Sequence, residues 1–365
     1  MKSSLPNIPH EIIYYDILTR LPVKSLLRFK SVCKDWYALI NSSTFIDTHQ
    51  KYVLESHDSS DFMIVSNSCF YTYYDAPQFT SGTYVVLKEM DKHYFNVVVG
   101  SCNGLICLNI LRFGLMLCNP ITREYYRLIH PVSHHTYGQH DIPDYYGQYG
   151  FGYDIVTNHY KIVKIITSSH MDYSSKSLIV QVFSTYTNSW KQANNFPEST
   201  CISPLKYGVP INNTLHWAAK KLGDNTRSSL TFDLHTEEFG KMTLLELMTA
   251  GGRLYTVSSN RPFSNLTLWV MKEYGAPESW TKLVEIVDGQ ITACRISVIT
   301  CRSRKEGEEI LLKYFVDKET YELGWYNIKN KSIEKVDVTG KHKKDCVCIA
   351  SLAPIPVNHQ ANVLL

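Results

Sequence analysis

Two hydrophobic periods divide this chain. Over residues 8–40, IPHEIIYYDILTRLPVKSLLRFKSVCKDWYALI, apolar positions recur at helical spacing. Ile13, Ile17 and Leu21 lie four residues apart with Ile12 and Leu18 beside them, and Val32, Cys33, Trp36, Leu39 and Ile40 form a second stripe. Pro9 suits the first turn of a helix, where its missing N–H costs nothing. Pro22 stops that helix, because proline disfavours helical backbone at Leu21. Leu26, Leu27 and Phe29 fit a short second helix, and Ser31 offers an N-cap to a third. Roughly 35 residues cannot bury this much apolar surface alone, so the pattern leaves a surplus for a partner.

A helix is expected around Phe45–Leu54, followed by a hydrophilic connector over Ser56–Asp61. From Phe62 the period shortens. Runs such as FMIV (62–65), TYVVL (83–87), NVVVG (96–100), GLICLNI (104–110), KIVKIIT (161–167), LIVQVF (178–183), LTLWV (266–270) and ILLKYFV (310–316) alternate with polar turns. Short strands so spaced indicate an all-β body. A weak repeat runs through it, in which a strand, a polar turn centred on threonine and an aromatic-bearing strand follow one another. Its instances are CNPITREYY (118–126), YDIVTNHYK (153–161), FSTYTNSWK (183–191), FDLHTEEFG (232–240) and FVDKETYEL (315–323). Thr122, Thr157, Thr187, Thr236 and Thr320 are separated by 35, 30, 49 and 84 residues, and VMKEYGAPESWTKL (270–283) partly fills the last gap. Strand-pair periods of this length predict a β-propeller, whose blades cannot each bury both faces alone.

Composition narrows the classes. The formal net charge of +3 and the lack of a basic stripe interleaved with aromatics argue against nucleic acid as a partner. The start, MKSSLPNIPHE, has no signal-type apolar core, and no run of 18 apolar residues marks a membrane span. The ten cysteines are therefore expected as free thiols in a reducing compartment, in the cytoplasm, the nucleus or both. No nucleophile elbow or helical zinc pair occurs, so no catalytic residue, cofactor or metal is assigned.

The N-terminal run closely resembles the F-box, the helical motif by which substrate receptors dock onto the Skp adaptor of SCF ubiquitin ligases. Its matching positions are Ile8, Pro9, Ile17, Leu18, Leu21, Pro22, Val23, Leu26, Leu27, Phe29, Val32, Cys33 and Trp36. All of them except Cys33 are the adaptor contacts that the resemblance implies. One residue more than is usual stands between the first proline and the Ile17–Leu18 pair, so Tyr14–Tyr15 looks like a single insertion. An extra residue rotates everything before it by about 100°, and the slip is expected to be absorbed before Ile13. The segments GSCNGLICL (100–108), LCNPITREYYRL (117–128), YGFGYDIVTNHYKIVKI (149–165), NNTLHWAA (212–219) and LTFDLHTEEFGKM (230–242) resemble the plant F-box-associated, kelch-like domain. The organisation expected is a small three-helix F-box over 5–50, a connector over 51–61, a β-propeller-like substrate-binding domain over 62–353 and a flexible tail over 354–365. The resemblance implies a non-catalytic receptor that joins, through the adaptor, cullin and RING subunits and recruits a protein for ubiquitylation and degradation. Self-incompatibility, with an S-RNase as target, and defence or hormone signalling are settings in which such layouts occur.

The aromatic–histidine stretch HPVSHHTYGQHDIPDYYGQYG (130–150) is the least ordinary part of the body. His134, His135 and His140 with Asp141 or Asp144 are metal-ligand types, but a tyrosine-rich recognition loop is the better reading. Tyrosine gives large contact area at small entropic cost, so His134, His135, Tyr137, His140, Tyr145, Tyr146 and Tyr149 are the candidate substrate contacts. Gly147, Gly150 and Gly152 read as strand-entry and turn glycines, Asn103–Gly104 as a hairpin dipeptide, and Arg302–Glu309 as a charged loop. Two alternatives to the receptor reading are a propeller enzyme dependent on a metal and a non-degradative scaffold that binds the adaptor without a cullin.

Overall fold

The computed structural model describes residues 9, 11–55, 62–66, 70–74, 83–86, 96–110, 114–128, 136–137, 140–141, 147–167, 178–193, 196–197, 200–202, 207–221, 227–242, 247–250, 253–260, 265–287, 295–304, 307–315, 321–340, 345–349, 351–356 and 362–363. A helical unit opens the chain. A π-helical turn (Ile12–Ile17) and a 3₁₀ turn (Leu18–Arg20) lead into α1 (Val23–Phe29), α2 (Lys34–Ile40) and α3 (Ser43–Glu55). Pro22 stands at the N-cap of α1. The cap of α2 is Cys33, whose Sγ accepts from Trp36 N, while Ser31 turns its hydroxyl back to the Arg28 carbonyl. The cap expected at Ser31 therefore falls two residues later.

The rest is antiparallel sheet, in six blades of four or five strands. The first takes β1 (Phe62–Ser66), β2 (Phe70–Tyr74) and β3 (Thr83–Val86), the second β4 (Asn96–Cys102), β5 (Leu105–Ile110), β6 (Gly114–Asn119) and β7 (Glu124–Arg127). A two-stranded hairpin, β8 (Thr136–Tyr137) and β9 (His140–Asp141), precedes the third blade, β10 (Gln148–Asp154), β11 (His159–Thr167), β12 (Leu178–Ser184) and β13 (Ser189–Ala193). The fourth holds β14 (Thr200–Ile202), β15 (Val209–Ile211), β16 (Thr214–Lys221), β17 (Arg227–Asp233) and β18 (Phe239–Met242). The fifth is β19 (Leu247–Ala250), β20 (Arg253–Asn260), β21 (Asn265–Met271) and β22 (Trp280–Val287), and the sixth β23 (Arg295–Arg304), β24 (Gly307–Phe315), β25 (Tyr321–Asn327) and β26 (Ser332–Gly340). The innermost strand of the first blade arrives last. It is β27 (Asp345–Ile349), which pairs with β1 from Phe62↔Ile349 to Ser66↔Asp345. Inner strands adjoin in the order β27, β4, β10, β15, β19, β23 and back to β27, so the ring is closed.

The threonine repeat marks one kind of turn. Asn119, Asp154, Asp233 and Asn327 each end a strand and accept, through Oδ1, the backbone N–H groups two and three residues on. Ser184 accepts from Tyr186 N in the same way. Such side-chain acceptors stabilise turns at strand ends. Four residues after each of these five caps the chain enters the left-handed region, at Arg123, Asn158, Asn188, Glu237 and Lys331. The fifth turn is thus at Asn327–Lys331. Thr320 lies outside the described residues, between β24 and β25, which are second and third strands, whereas the five capped turns link first and second or third and fourth. Asn103 and Gly104, both at positive φ, close the β4–β5 hairpin as expected. Arg302–Arg304 and Gly307–Glu309 continue strands in register, so the charged loop expected there is a tight hairpin.

Gly150 and Gly152 prove to be mid-strand residues of β10 and not turn glycines. A Cβ on Gly150 would stand 2.6 Å from Trp217 Cζ2, and one on Gly208 would stand 2.5 Å from Trp217 Cε2. The buried Trp217 indole lies against both backbones and donates from Nε1 to the Tyr149 carbonyl, which Gly208 N also reaches. Above this seam, the buried Lys161 reaches Asp154 (3.3 Å), Glu237 (2.9 Å) and the Leu234 carbonyl, and Lys191 also pairs with Glu237. One blade further, Tyr274 meets Nε2 of the buried His216 at 2.9 Å, while Nδ1 faces the Val209 carbonyl. Burial holds the His216 imidazole neutral, with its pKa lowered to about 4.

Gly150→Ala is expected to overpack the Trp217 seam and cost roughly 1–3 kcal/mol, read as a lower urea midpoint at unchanged slope. Lys331→Gly, at an exposed left-handed position (φ 56°), is expected to gain up to about 1 kcal/mol by removing Cβ strain. Thermal denaturation of the two variants side by side checks both signs.

Candidate functional site

The helical unit answers the apolar surplus in two ways. Part of it is covered by the chain itself. Leu18, Val23, Leu26, Ile40 and Phe45 are buried in one continuous cluster with Val98, Ile106, Leu108, Ile110, Met116, Cys118, Tyr125, Cys348 and Leu352 of the propeller. Each buried Leu of this kind is worth about 1.5–3 kcal/mol relative to exposure, so three short helices that would be marginal alone are held against the second blade. His49 fastens the packing from within. Its Nε2 lies 3.0 Å from the Leu21 carbonyl, and its ring stacks on Phe45.

The other part stays open. Ile12, Tyr15, Ile17, Val32, Tyr37 and Tyr52 are exposed, with Tyr15, Val32 and Tyr37 at 61%, 60% and 59%. The twelve residues expected to dock a partner therefore separate. Leu18, Val23 and Leu26 are buried in the shared core, Leu21, Leu27, Phe29 and Trp36 are half-buried, and Pro9, Ile17, Pro22 and Val32 are exposed. Ile8 lies outside the described residues. Leu18, Val23 and Leu26 pack the helices against the propeller in the shared core. Ile12, Tyr15 and Tyr37 join the exposed set although the sequence did not assign them as contacts, because apolar spacing gives the stripe but not which edge of it faces inward.

The tyrosine insertion has a structural form. Across Ile12–Ile17 the backbone adopts a π-helical turn, which accommodates one residue more than an α turn. The slip expected before Ile13 is instead taken up across the insertion itself. Tyr14 packs edge-on against Phe45 at 5.5 Å between ring centroids, and Tyr15 is turned outward.

The helical unit sits at the end of the propeller that carries the capped turns. Lys30 is within electrostatic reach of Glu124 in the β6–β7 turn, and Asp47 of α3 within reach of Tyr153 and Tyr160 beside the β10–β11 turn. By strand alternation β7 and β11 end, and β10 and β12 begin, at the opposite end. Of the candidate recognition residues, His134, His135, Tyr145 and Tyr146 lie outside the described residues. Tyr137 and His140 are cross-strand partners in the β8–β9 hairpin. Tyr149 is buried within β10 and forms part of the core, so its place in that set is withdrawn. Among the described residues no group of three or more His, Cys, Asp or Glu is placed to hold a metal.

The tail expected over 354–365 departs from a loose form. Ile355 is buried, and β28 (Asn362–Val363) pairs with β7 at Tyr125 and Glu124. Ser351, Leu352 and Ala353, at the end of the expected β domain, are buried as well.

Comparison with known proteins matches residues 5–48 to the F-box domain and residues 38–359 to the F-box associated beta propeller domain. The chain is 29% identical over 306 residues to an F-box/kelch-repeat protein of Arabidopsis thaliana, covering 77% of this chain and 79% of that one. It is 28% identical over 373 residues to F-box protein CPR1 of the same plant, covering 94% and 86%. Among solved structures, a quinonprotein alcohol dehydrogenase-like protein of Bacteroides thetaiotaomicron is similar at TM-score 0.41 and 10% identity over 80% of this chain and 79% of that one.

Both His49 and His216 have pKa values lowered first of all by burial. As pH falls below the ordinary histidine range, the unfolded chain binds protons that the folded chain excludes. Stability is therefore full above about pH 6.5 and declines on acidification, by about 3 kcal/mol for His216 once its folded pKa is passed. Urea unfolding at pH 7.5 and 5 measures this, and His216→Gln should flatten the slope.

Proposed function

The chain belongs to the family of F-box proteins that carry an F-box-associated β-propeller, and from that premise we propose that it is the substrate-receptor subunit of an SCF-type ubiquitin ligase. The observation that carries the reading is a helical unit seated on the propeller with large apolar side chains left exposed. Ile12, Tyr15, Ile17, Val32 and Tyr37 fit a protein partner of the adaptor kind, since aromatic and aliphatic anchors dominate such interfaces. The adaptor would bring cullin and RING subunits. A protein target would be taken by the connections at the far end, where 129–147 supplies aromatic side chains. The chain's contribution is proximity. Holding an acceptor lysine near a ubiquitin-charged enzyme replaces a bimolecular encounter with an effectively intramolecular one, and no group on this chain enters the chemistry. Cytoplasm and nucleus both suit the assignment.

Co-expression with a plant Skp adaptor and size-exclusion chromatography test the proposal, with a one-to-one complex expected. The Val32→Asp, Tyr37→Ala double variant should weaken adaptor binding at least tenfold at unchanged melting temperature. Leu26→Ala, by contrast, should cost about 2–5 kcal/mol of stability. Undiminished adaptor capture by the double variant would refute this docking face.

A further inference from the structure

The buried Asn119 has two separate tasks. Its Oδ1 accepts from Ile121 N and Thr122 N and so closes the β6–β7 turn. Its Nδ2 donates to the Ser351 carbonyl at 3.0 Å and to the Ala353 carbonyl at 2.9 Å. The first task is shared with Asp233 at the corresponding place in the fourth blade and with Asp154 at the end of the first strand of the third. The second needs an amide, because a carboxylate has no hydrogen to donate. What Nδ2 holds is the segment leaving β27. Ser351 Oγ accepts from Ala353 N and stiffens it. Leu352 belongs to the cluster that contains Leu18, Leu26, Ile40 and Phe45, and Ile355 packs with the second and third blades. One short stretch therefore touches the ring-closing strand, the second blade and the seam beneath the helices.

We propose that residues 351–356, pinned by Asn119, are a strap that fixes the orientation of the F-box on the propeller. On the receptor reading above, that orientation sets where the ligase arm stands relative to a bound substrate. Asn119 is then a positioning residue whose donor function is separable from its turn function. Short helices hold their hydrogen bonds mainly through packing, so loosening the seam shows first as amide exchange in α3.

The test is hydrogen–deuterium exchange on the full chain, the Asn119→Asp variant and a chain ending at residue 350, all without adaptor. Asp keeps both turn acceptors and sets a carboxylate against the two strap carbonyls. Exchange across Ser43–Glu55 should rise at least tenfold in both variants, while β16, β17 and β27 keep wild-type protection. Small-angle scattering should show a larger maximum dimension. Unchanged α3 exchange in Asn119→Asp would overturn the proposal. So would an equal loss of protection in β27, which would make the segment a general fold element. Should the shortened chain fail to fold, Asn119→Asp alone decides. Adaptor binding by the wild type is scored separately, so its failure would sink the receptor reading and leave the exchange result standing.

Discussion

Everything in the propeller depends on one edge being covered. A run of antiparallel strands laid down in chain order ends with two unpaired edges, and an open edge is both unstable and adhesive. Here β27 crosses back to pair with β1, and β28 after it adds to the outer edge of the second blade at β7. Four blades are built from neighbouring sequence, but the first is completed, and the second extended, by strands from the far end of the domain. Each inner strand then has a neighbour on either side, and the packing between blades becomes mutual.

Between blades, the seams show how little slack that closure leaves. At the third and fourth blades an indole fills the space that two glycines vacate, and a buried lysine is answered by two carboxylates and a carbonyl. The Asp154 carboxyl keeps a lowered pKa although burial works against it, because Thr157, Val156 and Lys161 stabilise its charge. Removing one member of such a group leaves another buried and unanswered. The helical unit is bound into the same economy, since its core residues share a cluster with β5, β6 and β27.

Much of this was legible in the sequence. Period changes separated helices from strands, and the Thr-centred repeat located four of the five capped turns because cap and left-handed residue recur at fixed offsets. Thr320 lies outside the described residues, and the fifth capped turn is formed by Asn327, which has no threonine to mark it in the sequence. Gly150 and Gly152 could not be read as packing glycines, since what crowds them is Trp217 for the first and Leu234 and Leu215 for the second, more than sixty residues away in sequence. The apolar stripe of the F-box named the right stretch but not its inward edge. That edge is set by the second blade, whose position relative to Leu18 and Leu26 no local pattern records. The tail deceived for the same reason, as the partners of Ile355 and of β28 lie on the second and third blades and on β7.

The π-helical turn at Ile12–Ile17 changes how this chain tolerates length. An added residue in a loop merely lengthens the path, and in an α-helix it swings all that precedes it to another face. Here the surplus is stored as a wider pitch over a single turn. The helices beyond keep their contacts with the second blade, and the stored residue surfaces as an outward aromatic ring. On that turn the two adjacent tyrosines part company, Tyr14 packing inward on Phe45 and Tyr15 shaping the outline presented to solvent.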